Sequence, residues 1–328
     1  MKSEFELIET FTRRIGRGRA RGVVVGVGDD AAVLRFSARE DVVVTADAMV
    51  EGVHFERRWL DGATLGARLA AINLSDIAAM GGQPRFALLS LAVPRNTPTR
   101  LVEAIEQGAI RSLARHGARA VGGNLTATRG PLVCDMTLLG TCARGRAWQR
   151  AARAGDAIIV AGRLGAAAVG VHMLRAGKKR GAPVNAYRRP VPRLDVVRAL
   201  GATRMIHGAI DISDGLSSDI IHMCEAGDVG CDIDARALPI APAVRSFCAA
   251  RGTDPVTWSL HAGEDYALIV SVAPRNAAAA CRAMGRAGAP AVVVGRFTRH
   301  PGMYRIVDAT GVRAFGRGGW DHLRRSRR

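Results

Sequence analysis

The chain has 328 residues, 48% of them hydrophobic, and a formal net charge of +18. That length supports two domains with real cores, and no apolar run approaches the roughly 18 residues of a membrane span. The charge invites a nucleic-acid reading, but the basic residues are dispersed, almost all Arg, and aromatics make up only 5%, so the sequence argues against a basic stripe with stacking residues.

In chain order, a short helix is predicted over 4–15 and strands near 23–27, 31–36 and 41–46. The start, MKSEFELIETF, has early acids and no apolar core, so a cytoplasmic protein is expected. Residues 61–82 carry apolar side chains at 65, 69, 72, 77 and 80, close to the helical period, and a Gly pair ends them. FALLSLAVP reads as a strand stopped by Pro94, and 98–117 as an amphipathic helix with a Gly stop. Strands near 118–121 and 132–140 follow, with GGNLT at 122–126 read as a Gly-rich turn. The basic, weakly patterned stretch 144–156 marks a boundary, giving domains 1–150 and 151–328. The second half begins with the strand AIIVAG. Helices are predicted over 164–176, 191–200, 215–226, 241–251 and 275–287. Strands are predicted near 207–211, 230–234, 266–272 and 291–297. The six cysteines form no C-x-x-C pair, which points to reduced thiols.

VVVGVGDDAAVL at 23–34 resembles the start of a dinucleotide fingerprint, with Asp47 about 20 residues on, where a ribose-binding acid belongs. Asp29 and Asp30, however, stand where a pyrophosphate would meet bare backbone N–H groups. The span from Gly28 to Asp41 is also short for a crossover helix with its loops. Acids beside phosphates suit a metal better.

Further stretches share that character: TADAMVEGVHF with Thr45, Asp47 and His54, NLSD with Asn73 and Asp76, DISDGL with Asp211, Ser213 and Asp214, and GEDYALI with Glu264 and Asp265. Asn73 and Asp76 share a helix face. Singly, each has a plain structural explanation; Asp214, for one, is a plausible helix N-cap. Together they place acids at strand ends and beside small residues. Mg²⁺ takes oxygen ligands from carboxylates and phosphates, and clustered carboxylates need cations to offset their repulsion. A nucleotide site with several Mg²⁺ ions is the inference. No Walker pattern occurs, which excludes a P-loop enzyme.

GVGDDAAVL, VEGVHF, NLSDIAAMGG, DISDGL, GEDYALI and GWDH, running in order from about residue 24 to 322, resemble the thiamine-monophosphate kinase family. That family belongs to a superfamily with aminoimidazole-ribonucleotide synthetase, selenophosphate synthetase and a hydrogenase maturation protein. The resemblance implies an α+β, two-domain aminoimidazole-ribonucleotide synthetase-like fold. Its N-terminal sheet would pair into a dimeric barrel, and its C-terminal domain would be an α/β sandwich. It implies transfer of the ATP γ-phosphate to thiamine monophosphate, giving thiamine diphosphate and ADP. By motif position, Asp30, Thr45, Asp47, Asp76, Asp211 and Asp214 would be metal ligands. Gly123, Asn124, Arg150 and Ser213 would meet ATP, and His54, Glu264 and Trp320 the thiamine phosphate. Trp320 could pack on the cationic heterocycle or simply anchor the C-terminal segment.

The chain departs from the family pattern twice. Asn124 stands where the family often has Asp, and Ala46 where it often has Thr. Both positions would serve one metal in that pattern, so a weakened Mg²⁺ site is expected. The alternatives are a related superfamily enzyme, a degenerate ATP-binding homologue, or a nucleic-acid-binding protein. The first cysteine, Cys134, and the ending RRSRR argue against the two sister enzymes that use a terminal reactive Cys or selenocysteine. A nucleic-acid binder leaves the acids unexplained.

Overall fold

The computed structural model describes residues 23–25, 32–34 and 38–319. The helix predicted over 4–15, the acids Asp29 and Asp30, and Trp320 lie outside these described residues.

The first half is a six-stranded sheet, ordered β1 (Val23–Val25), β2 (Ala32–Leu34), β3 (Glu40–Val50), β6 (Val133–Ala143), β4 (Gln83–Pro94) and β5 (Arg119–Thr128). Only β4 and β5 pair in parallel. Two helices, α1 (Gly62–Ala79) and α2 (Thr99–Arg115), stack on each other, and α1 packs on β3, β4 and β6. The helices meet closely because a Cβ on Gly66 would collide with the Ile105 carbonyl, and one on Gly108 with the Ala63 carbonyl. In β3, side chains alternate between the two faces, as a strand requires: Val43, Thr45 and Met49 are buried towards α1, while Ala46 and Ala48 are exposed on the other face. Among the described residues the sheet stays open.

GGNLT is a correction to the sequence reading: it lies inside strand β5 and is not a turn. The glycine serves close approach, because a Cβ on Gly123 would collide with the Leu89 carbonyl of β4.

The second half is a seven-stranded sheet, ordered β13 (Gly311–Ala314), β12 (Tyr304–Asp308), β9 (Gly230–Asp234), β11 (Ala291–Thr298), β7 (Ala157–Ala161), β10 (Leu268–Val272) and β8 (Ile206–Asp211). Its helices are α3 (Ala166–Arg175), α4 (Ala182–Arg188), α5 (Leu194–Leu200), α6 (Leu216–Gly227), α7 (Pro242–Ala249), α8 (Pro255–His261) and α9 (Pro274–Arg286). Strand β7 is buried on both faces. Ala157, Ile159 and Ala161 join a core shared with α5, α9 and the first half. Ile158 and Val160 join a second core with Ile210, Ile220 and Phe297. The first core is continuous from Val43 and Leu69 to Val270 and Met284, and α1 also touches β8. That contact sets the acids of α1 against those at the end of β8.

Candidate active site

The site forms along the seam between the two sheets. Thr45, buried on β3, donates from Oγ1 to Asp76 Oδ2 on α1 at 2.5 Å. One turn earlier in α1, buried Asn73 accepts from the Asp47 backbone N–H at 3.2 Å and donates to the Leu69 carbonyl at 3.0 Å. Between them, Ser75 donates to Asp211 Oδ2 at 2.6 Å. One turn of helix thus holds the end of β3 with one face and the end of β8 with another.

Asp211 is the most telling acid. Burial pushes its carboxyl up to about 6; the Ser75 hydrogen bond opposes this, nearby Asp47 and Asp214 add to it, and Arg150 counters them. Asp47, Asp211, Asp214 and Arg150 therefore share one electrostatic neighbourhood. The Asp214 loop is fixed from both sides. Asp219 accepts from the backbone N–H of Ser213 at 3.1 Å and of Gly215 at 3.2 Å. Asp214 is thus not the N-cap of α6, a second correction: Gly215 holds that position, and Asp219 in the first turn reaches back instead. The Ser213 carbonyl accepts from the Glu264 N–H at 2.7 Å, and the Ile212 carbonyl from the Tyr266 N–H at 2.8 Å. Gly319 is so close to the Asp214 carbonyl that a Cβ there would collide with it, so the segment leading to Trp320 docks on this loop.

The second cluster centres on Arg68, which the sequence reading overlooked. Its side chain, 1% exposed, lies in α1 two turns before Asp76 and donates to the Glu264 carboxylate and the Tyr187 carbonyl. Its guanidinium sits 4.1 Å from the Tyr187 ring centroid and 5.9 Å from that of Tyr266. Burial opposes its charge, but Glu264 and the two tyrosines outweigh that and hold its pKa above the usual arginine value. Glu264 and Tyr266 both have left-handed backbone conformations, φ 71° and 49°, a strain kept where the surroundings enforce it. Tyr187 donates to the His54 carbonyl at 2.6 Å, and His54 Nδ1 accepts from the Val50 N–H at 3.0 Å. His54 and Glu264 are thereby joined through Tyr187 and Arg68. Asp265 serves elsewhere, accepting from the Gly165 N–H at 2.5 Å and the Ala167 N–H at 3.4 Å, at the start of α3.

Gly123 and Asn124 are not brought to this seam within one chain. Gly123 lies in one cross-strand row with Leu89, Met136 and Asp47, three strand steps of about 4.8 Å away from Asp47. Asn124 lies in the next row with Ser90, Asp135 and Ala48, on the open face. Ala46 is on that face too, in line with Thr137, Leu88 and Gly122. The two positions where the chain departs from the family pattern are therefore well apart in one chain.

The donor set at the seam is oxygen throughout, which suits a hard divalent ion, and a cation would offset the burial and the neighbouring acids that together raise Asp211. Among the described residues, no three His, Cys, Asp or Glu side chains form a ready-made metal cage. A site completed by phosphate oxygens and water asks for fewer protein ligands.

Two family models define the class of protein: "AIR synthase related protein, N-terminal domain" matches residues 28–142, and "AIR synthase related protein, C-terminal domain" matches residues 153–308. The thiamine-monophosphate kinase of Rhodopirellula baltica is 35% identical over 80% of this chain and 81% of its own. That of Escherichia coli K12 is 33% identical over 90% of each. The chain belongs to the thiamine-monophosphate kinase family. The solved structure "AaThiL complexed with AMPPCP and TMP" superposes with a TM-score of 0.83 at 26% identity, covering 98% of this chain and 97% of the other. A HypE–HypF complex shares the fold, with a TM-score of 0.78 at 17% identity over 95% and 99% of the two chains.

Proposed function

We propose that the chain is a phosphotransferase that moves the γ-phosphate of ATP onto thiamine monophosphate, giving thiamine diphosphate and ADP. The observation that carries this reading is the seam itself: α1 holds Asp76 against β3 while β8 sets Asp211 beside Asp47 and Asp214. Asp30, Thr45, Asp47, Asp76, Asp211 and Asp214 would hold several Mg²⁺ ions. Bound Mg²⁺ supplies charge neutralisation on the transferring phosphoryl group. Arg150 and Ser213 would meet ATP. Glu264, His54 and Trp320 would meet the acceptor, with Arg68 and Tyr187 orienting the first two. A phosphate acceptor oxygen is already ionised at neutral pH, so direct in-line transfer needs no general base.

The active unit in this reading is a cytoplasmic homodimer whose chains divide near residue 150. Phe86 and Leu88 on β4 and Val121 and Leu125 on the edge strand β5 are 41–60% exposed, an apolar margin suited to pairing with a second copy. Such pairing is the route by which Gly123 and Asn124 would reach a nucleotide. The test is ADP release and product identity with ATP, Mg²⁺ and thiamine monophosphate, with aminoimidazole precursors as parallel substrates. Thiamine diphosphate formed only from the monophosphate supports the reading. ATP binding without any product would indicate a degenerate homologue.

A further inference from the structure

The loop before α1 and the helix α4 line an open cleft of about 340 Å³, at the small end for ligand sites, and none of the seam residues line it. Its wall carries four arginines, Arg57, Arg58, Arg188 and Arg189, against one acid, Asp61. Arg57 is paired with Glu51 at 2.6 Å. Asp61 is occupied as the N-cap of α1, accepting from the Thr64 N–H at 2.7 Å. Arg188 is locked by backbone carbonyls, donating to that of Trp59 at 2.6 Å and that of Lys179 at 3.0 Å. Among the described residues, no carboxylate pairs with Arg58, Arg188 or Arg189.

A net charge of +18 scatters arginines over much of the surface, so their number alone decides nothing. Trp59 is the independent sign. It lines the cavity, is only 8% exposed, and its indole N–H has no acceptor among the described residues. That N–H is closed off from solvent, and because an unmade buried hydrogen bond is costly, a small shift of the cleft wall that brings it an acceptor is favoured. An acceptor that satisfies an indole N–H among guanidinium groups is an anion with several oxygens.

We propose that this cavity binds a phosphate-bearing small anion, at a site separate from the metal seam. Trp59 stands edge-on to Tyr187, with ring centroids 6.1 Å apart, and Tyr187 in turn holds Arg68 and the His54 carbonyl. The site thus lies one layer behind the acceptor end, and its ligand presses on the residues that position Glu264.

The test is calorimetric titration of the full-length chain at low salt with EDTA present, so that metal-dependent binding does not contribute. Inorganic phosphate, inorganic pyrophosphate and glycerol phosphate are the separate probes, which distinguishes a free anion from a phosphate ester. One saturable site per chain is expected for at least one probe. Affinity should fall at least tenfold in R58A/R189A, whose side chains are exposed, and several-fold in W59F. Mg²⁺-dependent ATP binding should be unchanged in both variants. Absence of saturable binding, equal affinity in R58A/R189A, or displacement of the probe by thiamine monophosphate would each overturn the assignment.

Discussion

Two carboxylates on the same seam live in opposite settings. Asp211 is held by the Ser75 hydroxyl, with Asp47 and Asp214 close by, and burial raises its pKa to about 6. Glu264 is held by the buried guanidinium of Arg68, which is itself stacked on a tyrosine. The first setting is electrostatically incomplete and improves when a divalent cation arrives. The second is complete within the chain, so its geometry is set before any ligand binds. One end of the site is built to recruit charge, and the other to hold shape.

The sharpest way to break this contrast is Asp211→Asn. The amide keeps an oxygen for the Ser75 hydroxyl but loses the charge. Turnover should fall about 10³-fold, the scale of removing a metal or transition-state charge contact. Thermal stability in EDTA should rise or stay level, because a buried acid beside two others has been discharged. Activity within tenfold of the wild type would mean that Asp211 is not a metal ligand.

Arg68→Met attacks the other setting. Removing one partner of a buried pair costs about 3 kcal/mol, read by chemical denaturation. The opposite sign to Asp211→Asn is the point: here stability falls. KM for thiamine monophosphate should rise about tenfold, about 1.4 kcal/mol, with KM for ATP nearly unchanged. Adding Glu264→Gln should restore part of the lost stability, since the orphaned charge is then gone. Equal loss for both substrates would show general unfolding of the seam instead.

The two settings were not equally legible. Acids at the ends of apolar strands stand out in a sequence, and DISDGL and NLSD pointed from spacing and residue type to a cluster of acids, which the structure draws together where α1 meets β8. Arg68 did not stand out, because a single Arg within GARLAAINL reads as an ordinary helix surface position. Its partner Glu264 is 196 residues away, and Tyr187 comes from a seven-residue helix, α4, bracketed by prolines and too short to show a period. Strands β12 and β13 were missed for a related reason: both are short, β13 is an exposed edge strand, and β12 beside it buries only Ile306. GGNLT was misread because glycine marks both turns and close strand contacts, and only the partner strand distinguishes them. Asp219 was passed over because it lies after the turn whose backbone N–H groups it holds.

A third prediction sharpens the contrast through pH. The folded-state pKa of Asp211 lies above the unfolded carboxylate range, so between roughly pH 4 and 6 the folded chain binds the extra proton. Without metal, this group makes the fold less stable as pH rises through about 6. With metal the sign reverses, because proton and cation compete for the same oxygens. The Mg²⁺ concentration for half-maximal activity should rise up to tenfold for each pH unit below about 6. In Asp211→Asn the metal-free pH dependence of stability should flatten over that range. An unchanged melting profile in that variant would assign the proton to another acid.

The smallest expected effect belongs to Asn124→Asp. Within one chain Asn124 lies on the open face, three strand steps from β3, so the added charge should leave stability nearly unchanged. If two copies pair along the apolar margin of β4 and β5, the new carboxylate reaches the nucleotide's metals, and the half-saturating Mg²⁺ concentration should fall a few-fold. Leu125→Lys, next along the same strand and 57% exposed, should separate the copies in sedimentation and abolish that shift. A Mg²⁺ shift that survives in the separated chain would mean that the strand reaches the metals of its own chain. No shift in the intact dimer would mean that position 124 does not face the metals, and that Asn there is a neutral replacement for the family's acid.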